Sequence, residues 1–193
     1  MDFKQSETFL NLARAFAGES QARNRYIFYA ERAKNEGYEY LSRRIKHIAK
    51  NEQAHAQVFF NHIIRCGGEP ISNINIDGGY PFEIGQTVEN MLFAARGESA
   101  EHEKVYPAFA AKAKEEGFSS VEASFRLIAT IEGEHNKFFS QMHELLKADE
   151  LCKRKEPLIW ECSFCGHKHT GTNAPEVCPV CGKPGGWFIF PEK

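Results

Sequence analysis

Glu132-Gly133-Glu134-His135 and its echo Glu52-Gln53-Ala54-His55 decide how this chain folds. In each, a Glu precedes a His by three positions. Residues three apart on a helix share a face, one turn apart. A carboxylate and an imidazole placed there can grip one metal ion. Two such pairs pointing inward from two helices, with a lone Glu from each of the other two, make a di-iron or di-manganese carboxylate site. Glu19 and Glu98 are the lone pair of acids that this pattern requires.

Apolar seams run outward from these residues. The first helix is expected over Ser6 to Glu36, with Leu12, Phe16, Glu19, Tyr26 and Ala30 on one face and Ser6 as N-cap. The second is expected over Tyr38 to Arg65, with Leu41, Ile45, Ile48, Glu52, His55 and Phe59 at alternating steps of four and three. A third is expected over Phe82 to Glu116 through Met91, Ala95, Glu98 and Phe109. Pro107 predicts a kink or bulge there, a turn or two beyond the Glu pair. A fourth over Ser119 to Ala148 carries Phe125, Ile128, Glu132, His135 and Phe139. The Gly- and Pro-rich stretch from Gly67 to Pro81 is too long for a hairpin turn and reads as a crossover.

The halves repeat. Gly18-Glu19-Ser20 returns as Gly97-Glu98-Ser99, and Glu36-Gly37 returns as Glu116-Gly117. The offset grows from 79 to 80 between these matches, so the third helix gains one residue. A repeated helix pair closes into a four-helix bundle with a pseudo-two-fold axis, on which the ligands converge. Glu101 breaks the symmetry, since its counterpart is Ala22. Five buried Glu (19, 52, 98, 101 and 132) need compensation, and two divalent cations nearly balance them. Carboxylate and imidazole donors suit iron or manganese. Tyr26 and Tyr106, seven and eight residues after Glu19 and Glu98, are placed to hydrogen-bond ligand carboxylates. His62 is expected in the core or at its rim, and His47, His102 and His143 on the surface. Glu103 and Glu134 are expected to face away.

Beyond Pro157 the composition changes to aromatic residues, Gly and Pro. The expected division is a helical domain over 1–148, a charged linker over 149–157 and a small module over 158–193. Cys162-Ser163-Phe164-Cys165-Gly166 and Cys178-Pro179-Val180-Cys181-Gly182 are two CxxCG knuckles, a strong tetrathiolate signal. The ligand set alone leaves iron and zinc both open. Cys66 and Cys152 read as incidental thiols.

With a net charge of −2 and a pI near 6.5, nothing favours nucleic acid as a partner. No apolar run reaches membrane-spanning length and the start is not a signal peptide, so the expected compartment is the cytoplasm. No GxGxxG follows a strand, so a nicotinamide cofactor is not expected to bind in the Rossmann manner.

Together these residues resemble the rubrerythrin family across nearly the whole chain. The resemblance implies a mainly α, ferritin-like four-helix bundle with a long crossover, followed by a rubredoxin-like module. It implies a di-iron site at Glu19, Glu52, His55, Glu98, Glu101, Glu132 and His135, and one further iron at Cys162, Cys165, Cys178 and Cys181. It also implies a peroxidase that reduces hydrogen peroxide to water, with one iron exchanging Glu101 for His55 as its oxidation state changes. Electrons would come from a rubredoxin or an NAD(P)H-dependent reductase. The family works as a homodimer in which the module of one subunit serves the di-iron site of the other. Two other readings remain at this point: iron storage or ferroxidase activity on a ferritin-like shell, and a zinc-ribbon interaction protein on an inert bundle.

Overall fold

The computed structural model describes residues 2–189, so Phe190 and the end of the module lie outside the described residues. Helices α1 (Glu7–Asn35) and α2 (Glu39–Gly67) form one antiparallel hairpin. Helices α3 (Thr87–Ala100) and α4 (Tyr106–Glu115), joined by a π-helical turn over Glu101–Val105, form a single rod that pairs with α5 (Ser119–Lys147). Ser6 caps α1 through its side chain, as expected. The third rod starts five residues later than the sequence pattern suggests. Gln86 and Glu89 form a capping box there, and Asn90 ties back to Gly85, so the chain before Thr87 stays extended.

The bulge expected near Pro107 begins at Glu101 itself. The Tyr106 N–H reaches back to the Glu101 carbonyl, one residue further than in an α-helix. This absorbs the extra residue of the second half. It also lets the rod restart at Tyr106, where Pro107 falls in a first turn and its missing N–H costs nothing.

Both hairpins turn in the same way. Gly37 and Gly117 take φ of 92° and 88°, and the residue after each donates its N–H to the carbonyl of Ala33 or Ala113 at 2.8 Å. The Glu before each glycine caps the helix that opens the other half. Glu116 accepts the N–H groups of Glu7 and Thr8, and Glu36 accepts that of Thr87. The halves are latched reciprocally.

The core lies in two apolar layers. One, around Tyr29, Leu41, Ile45 and Met91, also holds Trp160, Cys162, Cys178 and Phe188 of the C-terminal module. The other, around Phe9, Leu12, Phe59 and Phe125, fills the opposite end. The module is a three-stranded antiparallel sheet in the order β2-β1-β3: β1 (Lys153–Cys162), β2 (Lys168–Asn173) and β3 (Phe188–Ile189). β1 starts inside the stretch expected as linker. Its pairing with β2 is irregular between Lys153 and Leu158, the interval that contains Pro157. The module seats on the α1–α2 turn. Trp187 packs under Arg43 at 4.0 Å, and Gly186 lies so close to the Gly37 carbonyl that a Cβ would sit 1.7 Å from it.

Candidate metal centres

Between the two apolar layers, α1, α2, α3 and α5 bring Glu19, Glu52, His55, Glu98, Glu132 and His135 together, all buried. Two ligand groups result: Glu19, Glu52, His55 and Glu132, and Glu52, Glu98, Glu132 and His135. Glu52 and Glu132 belong to both. Glu132 presents Oε1 to His55 Nδ1 at 2.9 Å and Oε2 to His135 Nδ1 at 2.8 Å. Glu52 presents Oε2 to His55 at 3.4 Å and Oε1 to His135 at 3.1 Å. The outer carboxylates keep more distance: Glu19 Oε2 is 3.8 Å from His55 Nδ1, and Glu98 Oε2 is 3.7 Å from His135 Nδ1. The two rings are nearly parallel, 6.0 Å apart at 27°.

The tyrosines explain this arrangement. The Tyr26 hydroxyl donates to Glu98 Oε1, and the Tyr106 hydroxyl donates to Glu19 Oε1. Each half thus orients the lone Glu of the other half, and each such Glu is left with one free oxygen. The unpartnered buried atoms follow the same division: Oε2 alone on Glu19 and Glu98, both oxygens on Glu52 and Glu132, and Nδ1 on both histidines. An unsatisfied buried carboxylate oxygen is costly. Eight such atoms converge here, and two cations held by Glu19, Glu52, His55, Glu98, Glu132 and His135 would satisfy them together. On the far side of one ring, the Asn51 amide lies 3.2 Å from His135 Nε2, so that Nδ1 is the nitrogen left for a metal.

Burial holds Glu19 and Glu98 well above the ordinary carboxylate range. Burial lowers the His55 and His135 pKa values, but Glu132 and the other facing carboxylates outweigh it and lift both to about 12. Burial works against Glu52 ionisation too, yet the two imidazoles draw its pKa down to about 2. Burial, then the adjoining carboxylates, keeps the Tyr26 and Tyr106 phenols protonated as donors far above their usual range.

Glu101 enters neither group of four. Its carboxyl turns toward Gly18, where a Cβ would stand 4.0 Å from Oε1, and it lines a cavity outside the ligand pocket. Burial, then Glu132 and Glu52, raises it to about 8. The glycines beside the ligands make room for neighbours. At Gly97 a Cβ would lie 3.6 Å from an Arg25 nitrogen, and at Gly133 it would meet the His102 ring at 2.9 Å. His102 is exposed, as the sequence suggests, but its ring is also engaged, with Nδ1 2.6 Å from the Ala129 carbonyl. His143 is likewise engaged, 2.9 Å from the Val88 carbonyl. His62 is buried against Ser124, while His47, Glu103 and Glu134 are exposed, as expected.

In the module, Cys162, Cys165, Cys178 and Cys181 converge. Cys162 and Cys181 sulfurs are 3.7 Å apart, and those of Cys165 and Cys178 3.6 Å. That is far beyond a disulfide and close to the edge of a tetrahedron with metal–sulfur bonds of about 2.3 Å. Gly166 and Gly182, at φ of 76° and 71°, close each knuckle onto the carbonyl of its first Cys. The following amides, at His167 and Lys183, point at the sulfurs of Cys165 and Cys181.

The rubrerythrin family model matches residues 11–143, and again 89–164, and the model for the rubredoxin-like domain of rubrerythrin matches residues 160–189. The chain belongs to the rubrerythrin family. Rubrerythrin-1 of Clostridium acetobutylicum is 41% identical over 185 residues, covering 96% of this chain and 94% of that protein. A rubrerythrin of Porphyromonas gingivalis is 40% identical over 186 residues, covering 96% and 90%. Among solved structures, mixed-valence nigerythrin aligns with a TM-score of 0.64 at 26% identity, over 98% of this chain and 92% of that one. A bacterioferritin of Desulfovibrio desulfuricans, described by the states of its diiron site, aligns at 0.67 and 25% identity, over 78% and 85%. The fold is ferritin-like with a rubredoxin-like module, and the donors present fit two irons in the bundle and one on the four cysteines. Family membership makes the chain an oxidoreductase linked to oxidative stress. Among the described residues no helix is long and apolar enough to cross a membrane.

Proposed function

We propose that this chain is a cytoplasmic, non-haem di-iron peroxidase that reduces hydrogen peroxide to water. Two ferrous ions on the bundle site would supply both electrons that the O–O bond needs. One observation carries the reading: eight ligand atoms without a hydrogen-bond partner in a buried pocket, with a fifth acid, Glu101, held beside them. Glu19, Glu52, His55, Glu98, Glu132 and His135 are the ligands. Glu101 is in reserve as an alternative to His55. The Tyr26 and Tyr106 hydroxyls keep Glu98 and Glu19 turned so that one oxygen of each faces inward.

In this reading Cys162, Cys165, Cys178 and Cys181 hold an iron that refills the site one electron at a time. A rubredoxin or an NAD(P)H-dependent reductase supplies it. The module seats at Arg43, nine residues before Glu52, or about 14 Å along the α2 axis, off the end of its own ligand pocket. That supports relay between the subunits of a homodimer. Exposed Phe28, Phe82 and Ile84, grouped around one surface cavity, offer apolar area for a second copy to cover.

Anaerobic, dithionite-reduced protein should lose its ferrous iron stoichiometrically to added peroxide. Ferrous iron that survives a peroxide pulse would sink the reading. A mixture of one variant lacking the cysteines and another lacking the bundle ligands should regain turnover if relay crosses subunits.

A further inference from the structure

A cavity of about 280 Å³ lies beneath the crossover and against the π turn, with Gly18, Gly97, Glu101 and Tyr106 among its walls. A larger cavity, about 390 Å³ between α2 and α5, touches His135 alone of the candidate ligands. The smaller one therefore approaches the site from the Glu101 side. Gly78, Gly79, Tyr80 and Pro81 of the crossover also line it.

This stretch of the crossover is tied at both ends by arginines. Arg14 donates to the Asp77 carbonyl at 3.2 Å and to its carboxylate at 2.7 Å, and Arg25 donates to the Pro81 carbonyl at 3.3 Å. Between the ties, the Tyr80 hydroxyl donates to the Arg14 carbonyl at 3.1 Å. The Tyr80 ring then faces Glu101 across the missing side chain of Gly18. An atom at the Gly18 Cβ position would stand 3.7 Å from the ring edge and 4.0 Å from Glu101 Oε1. Both are ordinary contact distances, so the gap between the ring edge and this carboxylate oxygen is at most about one heavy atom wide. A two-oxygen chain fits through such a gap. A carbon bearing three methyl groups does not.

We propose that this cavity is the oxidant's entrance and that Tyr80 sets the size limit, admitting hydrogen peroxide and excluding branched alkyl hydroperoxides. The inference rests on the peroxidase reading. For either oxidant the balance is ROOH + 2 Fe²⁺ + 2 H⁺ → ROH + H₂O + 2 Fe³⁺, with R a hydrogen or an alkyl group. The O–O bond breaks, and one oxygen leaves as water.

The test is stopped-flow oxidation of the fully loaded, reduced protein by hydrogen peroxide and by tert-butyl hydroperoxide. Wild type should strongly favour hydrogen peroxide. Tyr80→Ala should raise the ratio of the tert-butyl to the hydrogen peroxide rate constant by tenfold or more. Tyr80→Phe should keep the wild-type ratio, because the ring and not the hydroxyl fills the gap. A second readout needs no oxidant: bipyridyl should strip bundle iron faster from Tyr80→Ala than from wild type or Tyr80→Phe, at matched melting temperatures. Equal wild-type rates for the two oxidants, or a Tyr80→Ala protein unchanged in both ratio and stripping rate, would overturn the proposal. Wild type inert to hydrogen peroxide would instead remove the peroxidase reading, and bipyridyl stripping alone would then decide whether Tyr80 closes the cavity.

Discussion

The α1–α2 hairpin and the rod-plus-α5 hairpin use matched parts to different ends. Each supplies a lone Glu, an ExxH pair, a tyrosine that serves the other half's Glu, and a glutamate that caps the other half's first helix. The second half adds one residue, and with it a π turn, Glu101 and a docked His102. The matched parts build a symmetric cation cage. The unmatched part places a further acid at the cage wall, next to a cavity. Symmetry here serves binding, and its breach puts Glu101 where the proposed peroxidase would use a changeable ligand.

The largest effect should separate shared from outer ligands. Glu132→Ala or Glu52→Ala, each removing a carboxylate common to both groups, should empty the bundle of both irons. Glu19→Ala or Glu98→Ala should leave about one of the two. Iron counts corrected for the cysteine site decide it, and equal losses in all four variants would break the division.

Glu101→Ala comes next. With no place in either group, its loss should leave the iron content intact while peroxide turnover drops about 10- to 100-fold. Loss of iron instead would make it an ordinary member of the cage.

A smaller effect is expected from pH in the metal-free protein. Glu19, Glu98 and Glu101 have raised folded-state values, about 8 for Glu101. Their stabilisation is complete below the ordinary carboxylate range and fades as pH climbs through those values. His55 and His135, lifted to about 12, change in the same sense above their ordinary range. Metal-free protein should therefore melt several degrees lower at pH 8 than at pH 6. Iron needs the deprotonated ligands, so the gap between loaded and metal-free melting should widen over the same interval. Calorimetry of both forms checks the sign.

The smallest effect concerns the latches. Glu36→Ala and Glu116→Ala should each cost about 1 kcal/mol in denaturant unfolding. Glu116→Ala should cost more, because its carboxylate also holds the Thr8 hydroxyl. A larger loss at Glu36 would break that ranking and show that the Thr8 hydroxyl adds nothing.

What was legible in the sequence is what helix periodicity encodes. The four seams, the six cage residues and both knuckles follow from spacings of three and four, and the structure brings each group together. The tyrosines were legible as candidates, but not their crossed pairing, since Tyr26 and Glu98 are 72 positions apart. Pro107 and the changed repeat offset signalled a bulge. Its start at Glu101 depends on which carbonyl the Tyr106 N–H reaches, which is not a local property. His102 reads as a surface residue and is exposed, but its ring also makes a bond that the sequence does not announce. Its partner is the Ala129 carbonyl of another helix, and the signal for it was Gly133, an unexplained glycine beside a ligand. The linker's second half joined the sheet because Lys153 found Asn173, a pairing with no local signature.

The reciprocal latches also bear on how the chain is put together. The bonds that latch the halves come in matched pairs, Tyr26 to Glu98 with Tyr106 to Glu19 and Glu36 to Thr87 with Glu116 to Thr8, so an identical hairpin from another polypeptide can meet the same donors and acceptors. With the long crossover as a hinge, two chains can trade hairpins without leaving a helix end uncapped. Assembly by interchange would thus keep these latches, while the ties of the hinge itself, such as Arg14 to Asp77, would have to be remade.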